Sequence, residues 1–400
     1  MKIIGLLAGI GGAVLAAAFP LCAVSQHAPP LSLKALFDPR YQRWIEKHPD
    51  QFSWMVFALI CKQAPANMQI VRADSTGKSN LTNNSIWETW ADDDFTFPQS
   101  PNPRDVPGWR NRHEDKHFVV DLLMALTIHA SVRELEGERA DFLNPIPPIP
   151  NPQNEEVRRN YAAFESITTQ GLWYQEGIAR WVQAHSNREL RFSRGSIEIK
   201  AVWQRMPDGS TDTTLPYHAN YDQYGHRYRL RGLHIMTNAL PQWTWATWEW
   251  VGNGGLQCDE IKCNDDFGFD SKASAASRHA VPTQVVLQMF SSLGVKDEWA
   301  GYRLRGSQIL RDGRPDPDRL GNSNMEESFL PTSSCVSCHR QARVDPRNGK
   351  ADCKMGFIDN NPGHQVGTTV YQSNIPPTAT SFIWAFIKAS SVSSGKRACP

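Results

Sequence analysis

The sequence predicts an α+β fold, with a central antiparallel β-sheet, surrounding helices and a small helical segment near the C-terminus. Apolar residues recur every three to four positions in the first third of the chain, as in amphipathic helices. In the middle third they alternate with polar residues, which is typical of antiparallel strands that turn one face to the core. A third observation, the motif CVSCH at 335–339, predicts a helical turn close to the end of the chain.

The helical periodicity defines an N-terminal, mainly helical region over 26–143. A first helix is predicted within 38–69, where apolar residues share one helical face and Pro65 follows as a stop. A long amphipathic helix is predicted over 116–142. The stretch NPIPPIPNP, residues 144–152, cannot be helical and is expected to form a stiff, extended connection.

An α/β body with the antiparallel sheet is predicted over 154–318. It begins with a further helical stretch from about 155 to 185. Three strands are then predicted, in GSIEIKAVW (195–203), RYRLRGLHIMT (227–237) and WTWATWEWVG (243–252). The region 319–400 carries CVSCH, and within it TSFIWAFIKAS, residues 380–390, predicts a last helix with Phe382, Ile383 and Phe386 facing inward.

The composition excludes several kinds of partner. The chain has 400 residues, 40% of them hydrophobic, which is enough for one large domain or two closely packed ones. Its 42 Lys and Arg balance 41 Asp and Glu, so no global field attracts nucleic acid or an anionic membrane. We interpret the 14 tryptophans as part of an aromatic core; broad apolar walls around a large, flat ligand are the alternative.

The first 25 residues have the pattern of a secretory signal peptide. One basic residue precedes an apolar run from Ile3 to about Phe19, and small residues follow at Ala23 and Ser25. Because the run is short for a spanning helix, we expect cleavage, no stable membrane span afterwards, and a periplasmic or secreted protein. An uncleaved anchor is the alternative.

Export changes the interpretation of the cysteines, because an oxidising compartment favours disulfides and permits covalent haem attachment. Cys258 and Cys263 are close enough in sequence to bridge a turn. Cys353 with Cys399 is the second expected pair.

The motif CVSCH supplies two thiols and an imidazole. On a helical turn, Cys335 and Cys338 lie on one face and reach the two vinyl groups of a porphyrin, while His339 points at the iron. A zinc site is disfavoured because no second CxxC or HxxxH provides further ligands. A thioredoxin-like dithiol is disfavoured because a turn-rich loop precedes the motif. We therefore predict one covalent haem c, held by these three residues.

His339 is the expected proximal iron ligand, and the group opposite it decides the function. A protein ligand there favours electron transfer, whereas an open position permits chemistry on a bound molecule. Met355 is the first candidate, because a thioether raises the reduction potential; an apolar filler is its alternative interpretation. Met325, His364 and His234 are further candidates.

His234 and Glu249 form a second hypothesis. Each lies on one face of a predicted strand, and the two strands are consecutive in the chain. A histidine and a carboxylate on facing strands can hydrogen-bond and act as a catalytic acid-base pair beside a cofactor. The alternative is a polar pair that only satisfies its own hydrogen bonds within the sheet.

Short segments spread over 86–387 carry a further pattern: IWETWADDD, GSIEIKAVW, GLHIMT followed by PQWTWATWEWVGN, YRLRGSQ, LGNSNMEES ahead of SSCVSCH, and TSFIWAF. Together they resemble the exported mono-haem cytochrome c family proteins of proteobacteria. The resemblance implies a haem c bound through Cys335, Cys338 and His339, near the C-terminus of a larger α+β body. It also implies that a histidine and an acidic residue of the family pattern correspond to His234 and Glu249.

The leading expectation is a periplasmic c-type cytochrome that transfers electrons to or from a redox partner protein. A carrier needs only about a hundred residues to enclose a haem, and this chain is far longer. The alternative is therefore a haem-dependent oxidoreductase, a peroxidase or small-molecule oxidase with an open distal side beside His234 and Glu249. A sensing or scaffold protein with a structural haem is the third class.

Overall fold

The computed structural model describes most of the chain beyond its first 30 residues. The described residues are 31–65, 71–73, 79–81, 84–111, 154–185, 189–207, 209, 215–222, 225–253, 265–268, 282–326, 330–340, 342–351, 378–379 and 384–397. The predicted signal peptide, the helix over 116–142 and the connection at 144–152 lie outside them. So do both expected cysteine pairs, Cys258–Cys263 and Cys353–Cys399, and the iron-ligand candidates Met355 and His364.

The α-helices and strands of the described residues have the following bounds. The helices are α1 Leu33–Leu36, α2 Gln42–Lys47, α3 Pro49–Ile60, α4 Asp93–Thr96, α5 Tyr161–Thr168, α6 Gln175–Ala184, α7 Gln284–Leu293 and α8 Cys335–His339. The strands are β1 Val71–Ala73, β2 Ser79–Leu81, β3 Ala91–Asp92, β4 Asn154–Arg159, β5 Ile197–Arg205, β6 Ala219–Tyr221, β7 Arg227–Thr237, β8 Thr244–Trp250, β9 Tyr302–Arg311, β10 Arg314–Asp316, β11 Arg343–Val344 and β12 Thr378–Ala379. Short 3-10 helices span Pro39–Tyr41, Ile86–Thr89, Trp109–Asn111, Asp297–Gly301, Leu330–Thr332 and Trp384–Lys388.

Eight of these strands form one antiparallel sheet, which confirms the α+β fold class. The order is β10-β9-β8-β7-β5-β4-β3, and β6 pairs with β7. The strands β5, β7 and β8 are the three that the alternating pattern predicts. They are neighbours in the sheet, and Ile235 of β7 opposes both Ile199 of β5 and Ala246 of β8.

One face of the sheet is apolar and packs against helices. The ring of Phe57 on α3 stacks on Trp248 of β8, with the ring centroids 4.8 Å apart. Phe290 of α7 packs on the other side of Phe57, at 6.0 Å. Burial of each such aromatic side chain contributes roughly 2 to 3 kcal/mol. This aromatic cluster agrees with the interpretation of the tryptophans as core residues.

The opposite face of the sheet carries the polar residues of the alternating pattern, but most of it is also buried. Glu198 of β5 is buried and pairs with Arg159 of β4 at 2.7 Å. Towards β8 the same face becomes apolar, where Met236 and Trp245 join a second core with Val336 of α8. The sheet is therefore covered on both faces, instead of exposing one of them to solvent.

The helical stretch predicted from 155 to 185 begins as a strand instead. Residues Asn154–Arg159 form β4, and α5 and α6 follow. Arg158 and Arg159 are both fully buried, and each contacts a carboxylate, Glu156 at 2.6 Å and Asp93 at 2.6 Å respectively. Ion pairs replace the apolar side chains that usually mark a buried strand, so this strand shows no hydrophobic alternation.

The helix predicted within 38–69 is confirmed as α3, which ends at Ile60 with Cys61 as its C-cap. A shorter helix, α2, precedes it and stops at His48, because Pro49 cannot continue a helix but can begin one. No helix in the described ranges is long and apolar enough to cross a bilayer.

The last predicted helix is short where the structure describes it. It is a five-residue 3-10 helix, Trp384–Lys388. Phe386 is buried in the second core, as the pattern predicts.

Candidate functional site

The motif CVSCH forms the short helix α8, which lies on the sheet face that carries the second core. Val336 is fully buried against that core, while Cys335, Cys338 and His339 are partly exposed. Both cysteines are thiols. The motif therefore has one fully buried anchoring residue, and its two cysteines and its histidine lie at the edge of the core.

Gln308 of β9 fixes the beginning of α8. Ser334, the N-cap residue, makes no capping bond of its own; instead the backbone N–H of Val336 donates to Oε1 of Gln308 at 2.8 Å. The amide Nε2 of Gln308 donates to Ser334 Oγ at 3.1 Å and to the Pro317 carbonyl at 2.6 Å. A side chain of the sheet thus supplies the cap that the helix sequence lacks.

A second contact holds the segment that leads into α8. Leu320 and Ser333 exchange hydrogen bonds: the Leu320 N–H donates to the Ser333 carbonyl at 3.0 Å, and the Ser333 hydroxyl donates to the Leu320 carbonyl at 3.0 Å. The next residue, Gly321, packs closely on Ser333: a Cβ atom at 321 would come within 2.7 Å of Ser333 Cβ. Glycine is required at 321 by this close approach.

His339 contacts the sheet through Trp245 of β8. Their ring centroids are 4.3 Å apart, and the rings are tilted by 45°. Trp245 opposes Met236 of β7, two residues beyond His234. The imidazole of the motif and the predicted catalytic histidine therefore lie on the same face of the sheet.

His234 pairs with Glu326, a residue to which sequence analysis assigned no role. His234 Nε2 lies 3.0 Å from Glu326 Oε1, and the other oxygen of Glu326 accepts the Asn322 N–H at 2.6 Å. His234 Nδ1 is buried and has no hydrogen-bond partner in the described structure. No local signal marks Glu326, because its partner is 92 residues away in the chain.

The electrostatics connect this pair to the motif. Burial alone would raise the pKa of Glu326, but the charge and hydrogen bond of His234, with a contribution from Lys200, hold it below its usual value. Burial raises the pKa of the Cys335 thiol well above its usual value, and the negative charge of Glu326 raises it further. Glu326 is therefore an ionised carboxylate that acts on both His234 and Cys335.

Glu249, the other predicted catalytic residue, lies on the same sheet face as His234 but has different partners. In the register of β7 and β8, His234 opposes Thr247, and Glu249 opposes Gly232. Glu249 accepts hydrogen bonds from the N–H of Ser323 at 2.5 Å and from its hydroxyl at 3.1 Å. The structure brings His234 and Glu249 to one loop, residues 320–326, which supplies a partner to each.

The 320–326 loop lies against the sheet through Asn322. Its amide Nδ2 donates to Thr247 Oγ1 at 2.9 Å and to the Trp248 carbonyl at 3.0 Å. The loop can come this close because Gly232 lies beneath it, where a Cβ atom would be 2.9 Å from Asn322 Nδ2. Met325, a candidate iron ligand, belongs to the same loop.

A further buried histidine lies near the apolar side of the sheet and was not assigned a role from the sequence. His218 lies 2.9 Å from a carboxylate oxygen of Glu88 and 2.6 Å from one of Glu298, and it stacks on Trp299. Burial alone would lower its pKa, but the two carboxylates raise the pKa to about 9. It is a charged core histidine and does not contact the α8 site in any described interaction.

The α8 site fits a covalent haem in its donor set. It combines two thiols and an accessible imidazole on one helical turn, and the turn is held to the sheet from its N-terminal side. Among the described residues, no group of three or more His, Cys, Asp or Glu side chains is placed to hold a metal ion by itself. No protein-family model, curated protein or solved structure matches this chain.

Proposed function

We propose that this protein is an exported c-type cytochrome that binds one haem through Cys335, Cys338 and His339 and transfers electrons. The observation that carries the proposal is the motif CVSCH on a helical turn, with Cys335 and Cys338 not joined in a disulfide and the valine buried. A haem attached there supplies a redox-active iron, and the chain supplies the attachment thiols, the proximal imidazole and a rigid anchor.

The contacts that hold α8 to the sheet support this proposal. Electron transfer is favoured when the groups around the iron rearrange little, and these contacts keep the motif in place. Gln308 caps α8, and Leu320 is paired with Ser333 just before the motif. Trp245 limits the rotation of the His339 ring from one side. A redox partner protein, or a small-molecule substrate, would approach the partly exposed face of α8.

Covalent attachment is the decisive test. Protein expressed with its N-terminal segment in a host that attaches haem c is expected to keep its colour in denaturing gels and to gain the mass of one haem. Cys335→Ser and Cys338→Ser together are expected to abolish both, because no thiol remains in the motif to form the thioether bonds. Cys61 is a buried thiol at the end of α3, and Cys61→Ser is the matched control. This variant should keep the colour in denaturing gels and the added mass of one haem. Wild-type protein that is colourless and carries no added mass would refute the proposal.

The second axial ligand is tested by spectroscopy of the same protein. Replacement of Met355 by Ala is expected to convert a low-spin spectrum to a high-spin one if this thioether binds the iron. Met325→Ala is the matched comparison, because Met325 lies in the 320–326 loop. An unchanged spectrum in the Met355 variant would eliminate that residue as the ligand.

The pair His234 and Glu326 favours a second candidate, a haem-dependent oxidoreductase. Its basis is the buried His234 Nδ1 without a partner and the ionised carboxylate on Nε2, which together can hold and release a proton beside the motif. High-spin iron that binds carbon monoxide is expected for this candidate, and low-spin iron that does not bind it for a carrier. Turnover that falls in Glu326→Gln, with a shifted pH profile, would identify the pair as catalytic; wild-type turnover in that variant would exclude it.

A further inference from the structure

Two buried arginines on β9 have more hydrogen-bond donors than the protein satisfies. Arg303 and Arg305 are only 6% and 1% exposed. Within the described part of the chain, the buried nitrogens without a hydrogen-bond partner are Nε and Nη2 of Arg303, and Nε, Nη1 and Nη2 of Arg305. Buried polar atoms in folded proteins nearly always have partners, so two neighbouring guanidinium groups with spare buried donors are suited to bind an anionic group.

The two guanidinium groups lie on the same side of the sheet because they are two residues apart on one strand. Arg303 opposes Glu249 of β8, and Nη1 of Arg305 lies 3.8 Å from Glu249 Oε2. A β-bulge follows, in which Gly306 pairs with Thr247 and Arg305 becomes the extra residue of the strand. The bulge leaves the Arg305 side chain beside Glu249 without a cross-strand partner of its own.

Glu249 does not neutralise this pair. It is fully buried and directs its oxygens to Ser323, and its distance of 3.8 Å from Arg305 is too long for a hydrogen bond. Burial, followed by the positive charge of Arg305, lowers the pKa of Arg303 to about 10, and Glu249 offsets this only in part. Among the residues that the structure describes, two guanidinium groups and one carboxylate leave one positive charge uncompensated.

We propose that Arg303 and Arg305 form a buried binding site for the carboxylate group of a ligand. The planar guanidinium fork matches the two oxygens of a carboxylate, and two forks provide enough donors for both oxygens. A carboxylate carries one negative charge, which balances the excess charge of the cluster, whereas a phosphate carries about 1.5 to 2 and would reverse it. The arginine site does not require a bound haem; only its occupation by a haem carboxylate rests on the proposed function.

A carboxylate can reach this site from two sources. It can belong to a small molecule in solution, or it can be one of the carboxylates at the edge of a haem attached to α8. The chemistry of recognition is the same in both cases. The haem-free variant with both Cys335→Ser and Cys338→Ser separates the two, because it lacks the second source.

The test uses acetate as the probe, at low ionic strength, with thermal unfolding and calorimetric titration of the full chain. Acetate is expected to raise the Tm of the haem-free protein saturably and more than an equal concentration of chloride does. Arg305→Met should weaken acetate binding at least tenfold. Arg311→Gln, an exposed arginine on the same strand that pairs with Asp316, is the matched control and should bind like the wild type.

A second variant keeps the test valid if Arg305→Met does not fold. Glu249→Gln keeps an oxygen to accept from Ser323 but removes the competing negative charge, so acetate should bind at least threefold more tightly.

Acetate that binds only the haem-free form supports the site with a haem carboxylate as its occupant; acetate that binds both forms supports a free ligand. No saturable effect of acetate in either form, or equal binding by wild type, Arg305→Met and Glu249→Gln, would overturn the proposal.

Discussion

Single buried charges in this protein differ in how completely they are paired. Arg158 and Arg159 each contact a carboxylate at 2.6 Å, and His218 contacts two. Arg305 has its nearest carboxylate at 3.8 Å. A buried charge that is fully paired stabilises the fold only modestly, whereas an unpaired one is costly to keep. The longer distance at Arg305 supports the proposal that this residue belongs to a carboxylate-binding site.

His218 gives a prediction for the pH dependence of stability. Its pKa in the folded protein, about 9, is above the ordinary value of 6.5, so the folded state binds the proton more tightly than the unfolded state. The stabilisation is complete below pH 6.5 and is lost as the pH rises from 6.5 to 9. It amounts to roughly 3 kcal/mol. His218→Gln should remove this decline, as measured by chemical unfolding between pH 6 and 10.

The partly exposed His226, which pairs with Asp222 four residues before it, provides the control for that measurement. His226→Gln should leave the decline between pH 6.5 and 9 in place. A wild-type protein whose free energy of unfolding stays constant over this range would show that His218 is not charged in the core.

At the scale of elements, α8 depends on a residue of the sheet. The helix has five residues and no capping bond from its own N-cap side chain, so the amide of Gln308 is the main support of its first turn. Isolated helices of this length are not stable in water. The geometry of the motif is therefore determined by β9.

Replacement of Gln308 is expected to loosen α8. Gln308→Met removes the acceptor for the Val336 N–H and the donors to Ser334 and Pro317, which should cost about 1 to 3 kcal/mol. Hydrogen exchange at the Val336 amide should accelerate more than exchange elsewhere in the sheet. Gln308→Glu keeps the acceptor and should retain most of the protection; equal exchange in wild type and Gln308→Met would contradict this role.

The elements also show which parts of the fold the sequence predicts. The strands β5, β7 and β8 follow from alternation, because one face is largely apolar and the other carries most of their polar residues, with Met236 and Trp245 as exceptions. The strand β4 does not, because Arg158 and Arg159 are buried through ion pairs. The alternation test depends on apolar residues. It therefore cannot detect a strand whose buried side chains are charged and ion-paired.

The candidate site was predictable only in part, for a related reason. The spacing of CVSCH and the shared face of His234 and Glu249 are local properties of the sequence. The partners Glu326 and Ser323 are not, because the contacts join residues 92 and 74 positions apart. Which carboxylate a histidine meets depends on how a loop folds over the sheet.

At the scale of the whole molecule, two cores lie on opposite faces of one sheet. Trp248 belongs to the first core and Trp245 to the second, and both are on β8. Because the same strands contribute side chains to both cores, loss of packing on one face removes support from the other. We therefore expect the described body to unfold as a unit.

Paired substitutions test this coupling. Phe57→Ala in the first core and Phe386→Ala in the second should each destabilise the protein by about 3 to 5 kcal/mol, because each removes a fully buried ring. In calorimetry the protein should show one unfolding transition, and each substitution should lower its Tm. Val392→Ala, at a residue 43% exposed, is the control and should change the transition little. Two separate transitions, each affected by only one of the substitutions, would show that the cores are independent.

The strict alternation along β8 also limits how relatives of this chain can diverge. Loss or gain of one amino acid within the strand would turn Trp248 towards the charged side and Glu249 into the aromatic cluster. Length changes are therefore tolerable only in the connections between strands, and alignments of distant homologues should show gap-free blocks over β7, β8 and the first half of β9.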